Sequence, residues 1–133
     1  MKNIPESHQD LLLDDKRAFV FLSTLMADGS PQVTPVWFNT DGDYFLVNSA
    51  QGRVKDKNMR ARPKVTICVQ DPGNPYRYLQ VRGRVVEIKE AGADAHIDAL
   101  AGKYTGIFKY QHHQPGVKRI IYKIIPEKVD AHG

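Results

Sequence analysis

The run YRYLQVRGRVVEIK, residues 76–89, places the tightest constraint on the fold. It is long for one strand, whose usual length is about 5–6 residues. Leu79, Val81, Gly83 and Val85 share one face, while Gln80, Arg82 and Arg84 share the other. Beyond Val85 the apolar positions move to Val86 and Ile88, so the two-residue period slips. A bulge or sharp bend near Gly83 accounts for the slip. Strongly bent strands belong to small closed barrels rather than flat sheets.

The rest of the chain agrees. AFVFLSTLM (18–26), QVTPVWF (32–38), YFLVNS (44–49), KVTICVQ (64–70) and the closing VKRIIYKIIPEKV read as further strands. Asp28-Gly29 and Asp41-Gly42 mark two hairpins, and DPGNP reads as an open turn. Pro35 cannot donate a ladder hydrogen bond, so it marks an edge, a bulge or a barrel rim. Helices are expected over 6–15 with Ser7 as N-cap, over 52–62 stopped by Pro63, and over 91–105. Ile97, Leu100, Ala101 and Tyr104 form the inner stripe of the last. The expectation is a mainly β domain, 1–133, of about six antiparallel strands closed into a barrel, with a few helices packed outside.

The chain of 133 residues has one cysteine, Cys68, inside VTICV. An internal disulfide and a cysteine-built zinc site are therefore excluded, and Cys68 reads as a small buried hydrophobe. The N-terminus MKNIPESHQD lacks an apolar signal region, and no apolar run reaches membrane-spanning length. A soluble, cytoplasmic protein without a membrane partner is expected.

The chemistry concentrates in NSAQGRVKDKNMRARPK, 48–64. Six cations lie between Arg53 and Lys64, with Asp56 the only acid among them. A helix starting near Arg53 puts Val54, Asn58 and Ala61 on one inward face, with Lys55 and Arg62 at its border. Upstream, NSAQG supplies amide, hydroxyl and glycine at a strand–loop–helix junction, a natural anion site. Cations in a helix's first turn oppose its dipole and call for a compensating anion. Spacing alone leaves three readings: a solvated face, a phosphate cradle, or a nucleic-acid patch. No stacking motif accompanies the cations, which cluster in one segment, so nucleic acid is the least favoured. Of the five histidines, His8, His96, His112, His113 and His132, the adjacent loop pair His112 and His113 lacks metal-ligand spacing, and no nucleophile-elbow, zinc-protease, Walker or dinucleotide motif is present. An enzyme built on this chain would draw its reactivity from a cofactor, and no catalytic side chain stands out.

Three stretches, LSTLMADGSPQVTPVWF, YFLVNSAQGRVKDKNMRARPKVTICVQDP and YLQVRGRVVEI, resemble the split β-barrel flavin-binding family of pyridoxamine 5′-phosphate oxidase. The likeness is to its short branch that uses the deazaflavin coenzyme F420; Ser49 to Met59 is the most specific piece, and AGADAHIDALAGKY also looks like that branch. The resemblance implies an FMN-binding split-barrel fold and a homodimer with two cofactor sites at the subunit interface. It implies a cofactor phosphate against Arg53 and Lys55, with Lys57 and Asn58 nearby. The ring would lie along Gln32, Val33, Thr34, Pro35 and Val36, with Ser49 and Ala50 at the opposite edge. Tyr78 and Gln80 of the partner subunit would complete the pocket, and Trp37, Tyr110 and residues 111–116 would face a small-molecule substrate. QVTPVWF and the end of the chain soon after IIPEKV depart from the oxidase branch, which argues against pyridoxine phosphate oxidation. The implied activity is an F420-dependent oxidoreductase acting on an unsaturated organic substrate. FMN is the alternative cofactor, and a non-enzymatic binding module the alternative class.

Overall fold

A computed structural model describes residues 1–133. Seven strands form one antiparallel sheet: β1 (Val20–Leu25), β2 (Pro31–Val36), β3 (Phe38–Asp41), β4 (Tyr44–Ala50), β5 (Lys64–Asp71), β6 (Asn74–Lys89) and β7 (Arg119–His132). Their order is β2-β1-β5-β6-β7-β4-β3. The two outermost strands, β2 and β3, are separated in the chain by Trp37 alone. A chain advances at most about 3.6 Å per residue, so one residue can join the two edges only if the sheet curls until they meet. The edges are joined covalently and do not pair with each other, which makes the barrel split.

The expected strand over 32–38 is therefore two strands, and the count is seven rather than six. Pro35 sits on edge strand β2, where its missing N–H faces no partner strand. The bend near Gly83 is present: the β6–β7 register shifts between Arg82 and Gly83, opposite Pro126. A Cβ on Gly83 would meet the Ile125 carbonyl oxygen at 2.5 Å. A second shift between Val85 and Glu87 takes Val86 out of the ladder and leaves it exposed, while Ile88 is half-buried. DPGNP closes a tight hairpin instead of an open turn, because Asp71 Oδ1 accepts the Gly73 N–H at 2.8 Å.

Residues 6–15 form two short 3-10 helices, Glu6–Leu12 and Asp14–Lys16, not one α-helix. The three-residue turn stacks His8 above Leu11, both buried against the barrel. Ser7 does not cap the first; Pro5 holds that position, and the Ser7 hydroxyl bonds His8 Nδ1 at 2.8 Å.

Inside the barrel lie Leu22, Phe38, Phe45, Ile67, Leu79, Tyr122 and Ile124, all essentially inaccessible. Helix α1 (Val54–Ala61) packs on β1 and β4, and α2 (Ala93–Thr105) on β4 and β7. The inward residues of α1 are Asp56, Asn58 and Met59; Val54 and Ala61 are exposed, contrary to the expected face. Polar anchors set this rotation. Asp56 accepts the Gly52 N–H at 2.8 Å and the Tyr122 hydroxyl, while Asn58 Nδ2 donates to Thr24 Oγ1 at 3.1 Å.

Candidate functional site

A cavity of about 540 Å³ opens where β2 hands over to β3. One wall is Pro35, Val36 and Trp37; another is Ile97, Leu100 and Ala101 of α2. The stripe that packs α2 onto the barrel thus also faces the cavity. Tyr104 is sandwiched between Phe19 and Trp37, with ring centroids 5.2 and 5.3 Å apart and planes within 11°. Its hydroxyl donates to Ala18 carbonyl at 2.6 Å and accepts the Phe38 N–H at 3.3 Å, and burial pushes its pKa up. Trp37 is thereby held flat at the cavity edge.

The far end is cationic. Arg53, Lys55, Lys109 and Arg119 line the cavity, and no aspartate or glutamate does. Burial pushes the Lys55 ammonium pKa down, and the neighbouring charges of Arg53 and Arg119 push it further. None of these four cations makes an ion pair. Concentrated unpaired cations in a half-buried hollow attract an anion. Arg53 and Arg119 also line a hollow of about 100 Å³ beside the main cavity, together with Tyr110, His112 and His113.

The roof is the loop 106–118. Asp98 Oδ1 accepts the Tyr110 N–H at 2.7 Å and bonds His113 Nε2 at 2.9 Å. The Tyr110 ring meets Trp37 edge-on at 6.2 Å and lies under the Arg119 guanidinium at 5.2 Å. Phe108 rests on Gly102 of α2, where no Cβ intervenes.

Of the residues expected at a site, Pro35, Val36, Arg53 and Lys55 line this cavity, with Trp37, Tyr110, Gln111 and His112 on the expected substrate side. The others lie elsewhere. Val33 is 64% exposed beyond the cavity. Gln32 and Thr34 take the alternate side of β2; Gln32 Oε1 accepts the Thr24 hydroxyl at 3.4 Å, and Thr34 Oγ1 is buried without a partner. Ser49 shares the barrel-interior side of β4 with Phe45 and Val47, its Oγ also without a partner. Ala50 lines a shallow outer hollow with Gly52 and Arg53. Lys57 is on the solvent side of α1. Asn58 spends its amide on Thr24, Met26 and Arg62 inside the fold. Tyr78 stacks on His132 at 4.7 Å, on the barrel's outer face, where Gln80 is exposed. Arg60 pairs with Asp56, and Arg62 donates to the Leu25 carbonyl and to Asn58 Oδ1; neither lines this cavity.

Sequence reading missed Arg119, Asn48, Phe19 and Lys109. Arg119 opens a strand whose alternation gives it the same phase as Ile121 and Lys123, and nothing local marks it. Asn48 lies in the quoted NSAQG segment, but its direction depends on where β4 meets β7.

The sequence profile described as pyridoxamine 5′-phosphate oxidase matches residues 4–133. A solved structure titled F420 reductase is 32% identical, with a TM-score of 0.83, covering 96% of this chain and 98% of that one. A structure titled putative pyridoxamine 5′-phosphate oxidase from Listeria innocua superposes at TM-score 0.71, with 18% identity and 95% of each chain covered. A conserved hypothetical protein from Mycobacterium tuberculosis gives 0.75 at 21% identity, over 97% of this chain and 84% of that one. These last two show the shared fold. No curated protein matches the sequence significantly.

Proposed function

The chain belongs to the pyridoxamine 5′-phosphate oxidase family, and we propose that it is an oxidoreductase using the deazaflavin coenzyme F420, with a small unsaturated organic molecule as substrate. One observation carries the reading: a single cavity joins an apolar, proline-bearing strand and stacked aromatics to unpaired cations. Its volume, about 540 Å³, lies in the range of ligand pockets. A flat heterocycle with a phosphate arm fits that donor set. The bound cofactor supplies hydride transfer at its ring; the chain supplies position, charge and exclusion of water. Arg53 and Lys55 hold the phosphate, Pro35, Val36 and Trp37 orient the ring, and Tyr110 with Gln111 and His112 covers the substrate side.

FMN, a ring with a phosphate of the same kind, is the second reading; the 32% likeness to a protein titled F420 reductase favours the deazaflavin. We propose further that two copies form a cytoplasmic homodimer. Exposed Phe21 and Val33, with half-buried Cys68, provide an apolar outer face for the second copy, and Tyr78 and Gln80 lie on that side of the barrel. Fluorescence titration with F420 and with FMN tests the cofactor. Lys55→Ala and Arg53→Ala should each weaken the bound cofactor by about 1.5–3 kcal/mol. Binding of neither cofactor refutes the reading, and a monomer by light scattering refutes the dimer.

A further inference from the structure

Arg119 is 7% exposed, yet no carboxylate oxygen lies within 4.0 Å of its guanidinium. Its Nε–H donates to Asn48 Oδ1 at 2.8 Å. The rest of its donor fork has no protein acceptor, and the residue lines both the main cavity and the smaller hollow beside it. A buried guanidinium without an anion is costly. Its charged and titratable surroundings are Arg53, Lys55, His96, Tyr110, Tyr122 and, the one acid, Asp94 at longer range.

The direction of that fork is fixed by a chain across four elements. An arginine only donates and a carbonyl only accepts. Asn48 therefore turns Oδ1 to Arg119 and Nδ2 to the Ala93 carbonyl, at 3.0 Å. The same Nδ2 lies 3.1 Å from His96 Nδ1, which must then accept. His96 carries its proton on Nε2 and donates it to Asn39 Oδ1 at 2.9 Å. Burial, then the charges of Arg119 and Lys89, holds the His96 pKa down at about 4, so the ring is neutral and this tautomer persists at neutral pH. Neither His96 nor Asn39 lines the cavity.

We propose that Arg119 selects ligands carrying an oxyanion, phosphate or carboxylate, and that Asn48 and His96 are positioning residues that aim its guanidinium into the cavity. The inference deepens the oxidoreductase reading and rests on it for the ring-bearing part of the ligand, though not for the anion. The bidentate fork of an arginine matches two oxygens of such a group. Asn48→Asp is the informative variant. It keeps the volume of the side chain and puts a carboxylate on Arg119, so the fork is neutralised in place.

The test uses the full chain and three probes: inorganic phosphate by calorimetry, then FMN against riboflavin and F420 against its phosphate-free deazaflavin chromophore by fluorescence. Arg119→Gln and Asn48→Asp are each expected to weaken inorganic phosphate and the phosphate-bearing partner by about tenfold or more. The phosphate-free partner should change by less than about twofold. In ¹⁵N NMR, His96 should be neutral and protonated on Nε2 from pH 5 to 8 in the native chain, and doubly protonated at pH 6 in Asn48→Asp. A loss of stability alone would not produce that change. If cofactor affinity is unmoved while phosphate binding to the cofactor-loaded protein falls, the oxyanion belongs to the second ligand and the proposal stands. If neither cofactor binds but phosphate binding still depends on Arg119, the oxidoreductase reading fails alone. Native affinity of both variants for phosphate and every phosphate-bearing probe overturns the proposal, as does a native chain that binds none of them.

Discussion

Replacing Tyr122 by phenylalanine removes one oxygen from the middle of the barrel and tests how the cationic junction at the start of α1 is anchored. Tyr122 is fully buried, and its hydroxyl donates to Asp56 Oδ1. The same carboxylate accepts the Gly52 N–H at 2.8 Å and Arg60 Nε at 2.9 Å. Arg60 is 43% exposed, so its pairing contributes little in water. The Tyr122 hydroxyl is thus one of two well-shielded donors to a buried charge, and losing such a bond costs about 1.5–3 kcal/mol. Unfolding entropy of about 2.1 cal/mol/K per residue converts this to a fall in Tm of about 5–11 °C for a chain of 133 residues. Burial alone would raise the Asp56 pKa, but Gly52, Tyr122 and Arg60 together hold it below its ordinary value. A carboxyl lowered in the folded state contributes stability that is complete above its unfolded pKa, about 3.9, and lost as pH falls through the folded value. The deficit of Tyr122→Phe should be full at pH 7 and shrink below about pH 4. Gly52 stays bonded to Asp56, so phosphate affinity should change less than stability. Urea unfolding followed by circular dichroism at pH 7 and pH 3 measures both terms, with an unchanged slope in denaturant. A deficit under about 0.5 kcal/mol, or one equal at both pH values, would refute the argument.

Gly83→Ala should destabilise by about 1–3 kcal/mol, because its Cβ meets backbone, the Ile125 carbonyl, and backbone cannot swing aside; chemical denaturation reads this directly. Gly102→Ala places a Cβ 2.1 Å from Phe108, but that ring is 75% exposed and can leave. Its Tm should hold or rise slightly, since alanine favours helix by about 0.8–1.0 kcal/mol. Ligand affinity should fall as the 106–118 loop loses its rest on α2; unchanged affinity would show that the roof does not depend on that contact. The neutral His96 binds no proton in the folded chain until about pH 4, whereas in the unfolded chain it titrates near about 6.5. Native stability should therefore fall as pH drops from about 6.5 toward 4, and His96→Gln should flatten that part of a stability–pH curve.

Local pattern was enough for the strands. Leu79, Val81, Gly83 and Val85 alternate in the sequence as they do in the barrel, because the pleat has a period of two wherever a strand has a wet side and a dry one. The bend at Gly83 showed as a slip in that period, and Pro35 declared an edge because it lacks a donor. That Arg53 and Lys55 stand together at a cationic junction was legible for a similar reason: strand, loop and helix start are contiguous in the chain.

Beyond the inward turn of Asn58, features that depend on partners far away were not legible. The face of α1 followed Asp56 and Asn58, whose ties to Tyr122 and Thr24 span 66 and 34 residues, rather than the apolar Val54. The break at Trp37 exists because the curled sheet brings its two edges together there. Arg119 and Asn48 lie 71 positions apart and became a pair only when β7 settled beside β4. Composition and spacing alone determined a small antiparallel β domain with a cationic strand–helix junction, because those features need only neighbours in the chain. Which cations stay unpaired, and which way the buried guanidinium points, was decided by tertiary structure, since both depend on acceptors that other strands and α2 carry into reach.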